Sequence, residues 1–139
     1  MALSTAATEN VGSESKRLRV MVVDDQSAVC EVVADSVRFA GYDVVGTAAD
    51  GAVAVELAGQ LRPDVVVMDI AMPRMNGVEA MRTMLAAGTA RRVMLMSGEY
   101  RSLGLRREDI FAAGAAAFIE KPFNVADLFS WLEKWAAEK

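Results

Sequence analysis

The 139 residues include no histidine, so no phosphohistidine can form on this chain. A single cysteine, Cys30, excludes an internal disulfide and agrees with a reducing, cytoplasmic setting. It sits among Val29, Val32 and Val33 and reads as a small core residue, not a reactive thiol. No apolar run is long enough to cross a bilayer, and the N-terminus lacks the charged and apolar regions of a secretory signal. Lysine and arginine form no block and the net charge is −4, so neither direct nucleic-acid binding nor membrane association is expected.

What is present fits one domain, long enough to bury a core without disulfides or structural metals. Residues 1–17 are rich in Ser, Thr, Ala and Glu without apolar periodicity and are expected to form a flexible tail, with the folded domain covering 18–139. Apolar runs predict strands near 19–24, 43–48, 64–69, 92–97 and 115–120. Amphipathic stretches predict helices near 26–40, 51–61, 77–87, 105–113 and 124–137. In the first helix Val29, Val32, Val33, Ser36, Val37 and Ala40 recur at helical spacing, and Gly41 supplies a C-terminal cap. The strands are rich in Val and Met without strict alternation, as a parallel sheet covered on both faces requires. The fold class is therefore α/β, a doubly wound five-stranded parallel sheet of five βα units.

In such a sheet one rim collects the carboxyl ends of all the strands, and ligands bind there at the topological switch point. Asp24 and Asp25 close the apolar run 18–23, Asp69 closes 65–68, and Ser97 and Lys121 fall at the ends of later strands. Each alone would pass for a loop residue. Together they gather mutually repelling carboxylates, an arrangement that calls for a cation or a phosphoryl group, with a distant lysine completing the site.

These residues also carry a specific resemblance. Val22-Val-Asp-Asp-Gln-Ser27, Met68-Asp-Ile-Ala-Met-Pro-Arg-Met-Asn-Gly77, Met96-Ser-Gly98 and Ala115-Ala-Ala-Phe-Ile-Glu-Lys-Pro-Phe123 resemble, in order, the motifs of a response-regulator receiver domain, the phosphoacceptor module of bacterial two-component signalling. The resemblance spans nearly everything outside the tail and implies a flavodoxin-like sheet of order 2-1-3-4-5, the order found in a chemotaxis member of this family. It implies that Asp69 is the phosphorylated residue and that Asp24, Asp25, Asp69 and the backbone carbonyl of Ala71 hold Mg²⁺ or Mn²⁺. Lys121 would pair with Asp69 at rest and with a phosphoryl oxygen afterwards, Ser97 would bond the phosphoryl group, and Phe118 would swing inward as the following loop moves. Lys121-Pro122 resembles the family's cis peptide.

Further expectations follow from the resemblance. A histidine kinase or histidine phosphotransfer protein would be the donor, as the missing histidine also requires. The response would be a changed face of fourth helix, fifth strand and fifth helix, docking a downstream protein or a second copy of the chain. No DNA-binding or catalytic output domain fits in 139 residues, so a cytoplasmic switch is expected, either stand-alone or a receiver cut from a larger protein, one that promotes its own phosphorylation and dephosphorylation without being an enzyme in the ordinary sense.

The chain departs from the family pattern between Ser97 and Lys121. That segment looks longer than usual, and Gly104 interrupts what would be the fourth helix. Ala71 cannot hydrogen-bond a water attacking the acyl phosphate, whereas Glu99 offers a carboxylate, and the lifetime of the phosphorylated state is left open. In the last helix Val125, Leu128, Phe129, Leu132 and Ala136 form the apolar stripe; Trp135 lies about 50° and Trp131 about 90° from its centre. Trp135 reads as core edge and Trp131 as a partly exposed residue, either a contact for a partner or dimer or a ring lying flat over neighbouring aliphatic groups. A haloacid-dehalogenase-type phosphatase would need a second Asp where Ala71 stands. A flavodoxin-like cofactor site would place Asp24-Asp25-Gln26 against a flavin phosphate, which it would repel.

Overall fold

The computed structural model describes residues 17–139; apart from Arg17, the expected tail lies outside the described residues. Five strands, β1 (Arg19–Val23), β2 (Asp43–Ala48), β3 (Val65–Asp69), β4 (Arg92–Ser97) and β5 (Ala117–Glu120), alternate with α1 (Ser27–Phe39), α2 (Gly51–Leu61), α3 (Gly77–Ala87), α4 (Arg107–Ala112) and α5 (Val125–Ala137). All neighbouring strands pair in parallel, in the order β2-β1-β3-β4-β5.

Consecutive residues of β1, β3 and β4 are buried, because side chains of opposite parity enter cores on opposite sides of the sheet. Met21, Val23, Val66, Met68, Val93 and Leu95 pack with α2, α3 and α4 through residues such as Ala54, Met81 and Ile110. Val20, Val22, Val65, Val67, Met94 and Met96 pack with α1 and α5 through Val33, Val37, Leu128 and Trp135.

The helix ends follow the sequence. Asp50 accepts from the Val53 N–H at the start of α2. Asn76 and Glu79 form a reciprocal capping box on α3, satisfying N–H groups that the helix itself leaves free. Gly41 follows α1 with φ of 97°, a left-handed conformation that glycine adopts without cost.

Two expected apolar stripes are corrected. In α1 the buried residues are Val33, Ala34 and Val37, while Val32 is 61% exposed and Ala40 is also outside the core. Val32 lies one residue, about 100°, from Val33 and so falls off the face that meets the sheet. In α5 the stripe is Leu128, Leu132 and Trp135, with Val125 exposed at the helix start. The fourth helix is short, as the break at Gly104 led us to expect: a 3₁₀ turn, Tyr100–Leu103, precedes it and closes on Gly104 at φ of 79°. Trp131 is half-buried, in keeping with a partly exposed ring, which lies 5.4 Å from that of Trp135 with the Lys134 ammonium over it.

Candidate functional site

The strand register brings the separated motifs together. Val23 pairs with Ala48 on one side and Met68 on the other, Asp69 pairs with Met96, and Ser97 pairs with Glu120. Backbone bonds continue past the strand ends: Asp24 N–H donates to Ala48 at 3.1 Å, Ile70 N–H to Met96 at 3.0 Å and Lys121 N–H to Ser97 at 3.1 Å. Asp24, Asp25, Asp69, Ser97 and Lys121 therefore stand on one rim, as expected.

Asp24 is buried and fully engaged. Its Oδ1 accepts from the Gln26 N–H at 2.9 Å, and its Oδ2 accepts from Lys121 Nζ at 2.9 Å. The same ammonium lies 3.3 Å from Oδ1 of Asp69. Lys121 thus pairs with Asp69, as the resemblance implied, and is shared with Asp24, to which it sits closer. Its charge goes to the more deeply buried anion, for which an unpaired charge would cost most.

A carboxylate oxygen from each of Asp24, Asp25 and Asp69 lies within 4.8 Å of the other two. Burial pushes the Asp69 carboxyl up to about 6; the Lys121 charge opposes this, and Asp24 and Asp25 add to it. Burial also draws the Lys121 ammonium down, but its bond to Asp24 and the charges of Asp69 and Asp24 outweigh that and leave it raised. One ammonium against three carboxylates leaves excess negative charge, which fits a hard divalent cation that takes oxygen ligands. Ala71 lines the same cleft, and its carbonyl accepts no backbone hydrogen bond among the described residues. The cleft holds about 230 Å³. A larger depression of about 610 Å³, between α1 and the end of β2, shares Asp24 and Asp25 but does not reach Asp69.

Two glycines sit tightly at this rim. A Cβ on Gly77 would run into the Asp69 carbonyl oxygen, and one on Gly98 would lie 3.1 Å from the Lys121 carbonyl oxygen. The Lys121-Pro122 peptide is cis, as the resemblance implied.

Ser97 is buried, and its Oγ accepts from the Glu99 N–H at 3.0 Å, so its own hydrogen remains available to a group on Asp69. Phe118, expected to swing inward on activation, is already inside, 7% exposed. Its ring meets Tyr100 edge to face, centroids 4.9 Å apart, and the Arg107 guanidinium covers it at 5.2 Å. Sequence reasoning missed Tyr100; a tyrosine in a loop of glycines and charged residues gives no periodic signal of burial. It also missed the pairing of Arg74, in the left-handed region, with the buried Asp50, which ties the loop after β3 to the start of α2. Cys30 is half-buried against the α1 side of the core, and burial, then the nearby Asp24, pushes its thiol up, consistent with an unreactive role.

Comparison with known proteins agrees with this geometry. The family described as response regulator receiver domain matches residues 20–133. The transcriptional regulatory protein PdtaR of Mycobacterium tuberculosis is 38% identical over 115 residues, covering 83% of this chain and 55% of that protein. The chain thus spans about half the length of PdtaR. The chemotaxis protein CheY of Thermotoga maritima is 36% identical over 118 residues, covering 84% of this chain and 95% of CheY. Among solved structures, the receiver domain of the sensor histidine kinase PA1611 from Pseudomonas aeruginosa, with a magnesium ion coordinated in its active site cleft, superposes with a TM-score of 0.74 at 28% identity, covering 87% of this chain and 98% of that one.

Proposed function

We propose that this chain, which belongs to the response regulator receiver domain family, is a phosphoacceptor switch in which Asp69 takes a phosphoryl group from a histidine kinase or phosphotransfer protein. The observation that carries the reading is the convergence of Asp24, Asp25 and Asp69 around one 4.8 Å space, with Lys121 bridging two of them. Asp24, Asp25, Asp69 and the Ala71 carbonyl would hold Mg²⁺ or Mn²⁺. Bound there, the cation would offset the repulsion between the attacking carboxylate and the anionic donor.

With its carboxyl near 6, Asp69 is mostly ionised at neutral pH and able to act as a nucleophile. An Asp69 oxygen forms the new bond to phosphorus as the nitrogen–phosphorus bond of the donor's phosphohistidine breaks. The imidazole leaves with the bonding pair and takes up a proton from solvent. Lys121, a flexible point charge, follows the new anion. The Ser97 hydroxyl donates to a phosphoryl oxygen and draws the Gly98–Glu99 segment toward it, which alters the packing of Phe118 and of α4.

The protein acts in this reading as a signalling switch, not as an enzyme with a separate substrate, and works in the cytoplasm. No described helix is long and apolar enough to cross a membrane. An apolar groove of about 530 Å³ runs from Val29 and Val32 on α1 to Phe123 and Val125, and Lys121 belongs to its wall. A donor protein seated there would present its phosphohistidine beside Asp69. The output surface is the face of α4, β5 and α5, which would dock a downstream protein or a second copy of the chain.

The direct chemical test is borohydride reduction after reaction with a small phosphodonor and Mg²⁺. An acyl phosphate on Asp69 is converted to homoserine, read by peptide mass spectrometry. Homoserine at another aspartate, with Asp69 intact, contradicts the assignment.

A further inference from the structure

The hydroxyl of Tyr100 is buried without a hydrogen-bond partner among the described residues, on a side chain only 2% exposed. A phenol in the interior ordinarily keeps a partner, because leaving the bond unmade disfavours the buried state by between roughly fivefold and a hundredfold. The rest of the side chain is well placed: its ring packs edge to face on Phe118, and the Arg101 guanidinium lies over it at 5.2 Å. The hydroxyl alone is misplaced.

Tyr100 also stands where the switch would pull. It follows Glu99 directly, and the Glu99 N–H is bonded to the Ser97 hydroxyl. The Glu99 carbonyl accepts from both the backbone N–H of Ser102, at 3.1 Å, and its hydroxyl, at 2.7 Å; the Tyr100 carbonyl accepts from Leu105 N–H at 3.1 Å. The 3₁₀ turn is therefore tied to Ser97 at one end and to the entry of α4 at the other, with Tyr100 leaning on Phe118 between them. A displacement of Ser97 toward Asp69 moves this turn as a unit.

We propose that Tyr100 is a positioning residue of the switch. Its buried resting place is held in tension by the unpartnered hydroxyl, and recruitment of Ser97 by a phosphoryl group on Asp69 releases that hydroxyl to a partner, biasing the chain toward the activated arrangement. This rests on the phosphoacceptor reading and adds to it which side chain sets the balance. The T-shaped contact makes Phe118 respond to Tyr100.

Mg²⁺-dependent binding of beryllofluoride, a phosphoryl mimic, tests it by calorimetry on the whole chain. Tyr100→Phe deletes only the misplaced hydroxyl. It should leave the affinity for Mg²⁺ alone unchanged, keep or raise the melting temperature without ligand, and weaken beryllofluoride binding about tenfold. Tyr100→Leu, which also loses the edge contact that favours the resting place, should weaken it less than Tyr100→Phe does. Equal beryllofluoride affinity in wild type and Tyr100→Phe overturns the proposal while leaving the phosphoacceptor reading intact. So does a lower melting temperature for Tyr100→Phe without ligand, which would mean the hydroxyl is satisfied at rest. Failure of the wild type itself to bind beryllofluoride with Mg²⁺ overturns both.

Discussion

Lys121 and Asp24, separated by 97 positions in the sequence, form a hydrogen-bonded ion pair at 2.9 Å whose carboxylate end is completely buried. Because the same ammonium is 3.3 Å from Asp69, the pair also governs the charge felt by that carboxylate.

Lys121→Met should therefore destabilise the metal-free protein by about 3 kcal/mol, the cost of leaving a buried carboxylate without its cation. Added Mg²⁺ should recover most of that loss, since a divalent ion can replace the missing charge. Thermal melts with chelator and with excess Mg²⁺ check this. An equal loss under both conditions would contradict it.

Stability should depend on pH through Asp69. Its carboxyl is raised to about 6 in the folded chain against 3.8 for the ordinary group, so between those values the folded state holds the proton that the unfolded state has released. The associated stability is fully present below about pH 4 and is lost as the pH rises through 6, by up to about 3 kcal/mol. In chelator, Asp69→Asn should remove this slope and melt higher than wild type at pH 7, with little difference at pH 4. Denaturant titrations across that window measure it.

Asp24→Asn and Asp25→Asn should each weaken Mg²⁺ binding by at least roughly tenfold without unfolding the domain. They should differ in stability. Asp25 is exposed, and its loss only relieves repulsion; Asp24 is the partner of Lys121, and its loss also strands the ammonium. Calorimetric Mg²⁺ titration paired with thermal melts separates the two effects.

Trp131 flanks a groove of about 500 Å³ that also includes Phe118 and Phe123. If this surface docks a partner or a second copy, Trp131→Ala should reduce association of the phosphorylated chain in sedimentation while leaving phosphorylation of Asp69 intact. Because the ring also packs on Trp135, a loss of about 1–2 kcal/mol of stability accompanies it. Parallel loss of phosphorylation would mean misfolding and contradict the interface role.

The sheet and its rim were legible in the sequence because parallel strands buried on both faces leave runs such as Val65-Val-Val-Met68, and because Asp24, Asp69, Ser97 and Lys121 each end one of those runs. Gly104 likewise announced the broken fourth helix. Which carboxylate Lys121 prefers was not legible, since that depends on how deeply each is buried. Val32 and Trp135 were misplaced because a periodic pattern gives a stripe, while the sheet decides which edge of the stripe it covers. The burial of Tyr100 depends on Phe118, 18 positions later, and leaves no local trace.

In the proposed switch, Asp69 accepts a phosphoryl group with help from a divalent cation held by its neighbours. Intact mass measurement after incubation with phosphoramidate tests it most directly. One added phosphoryl group on the wild type with Mg²⁺, and none on Asp69→Ala or on the wild type in excess chelator, is the predicted result. Full labelling of Asp69→Ala would contradict it.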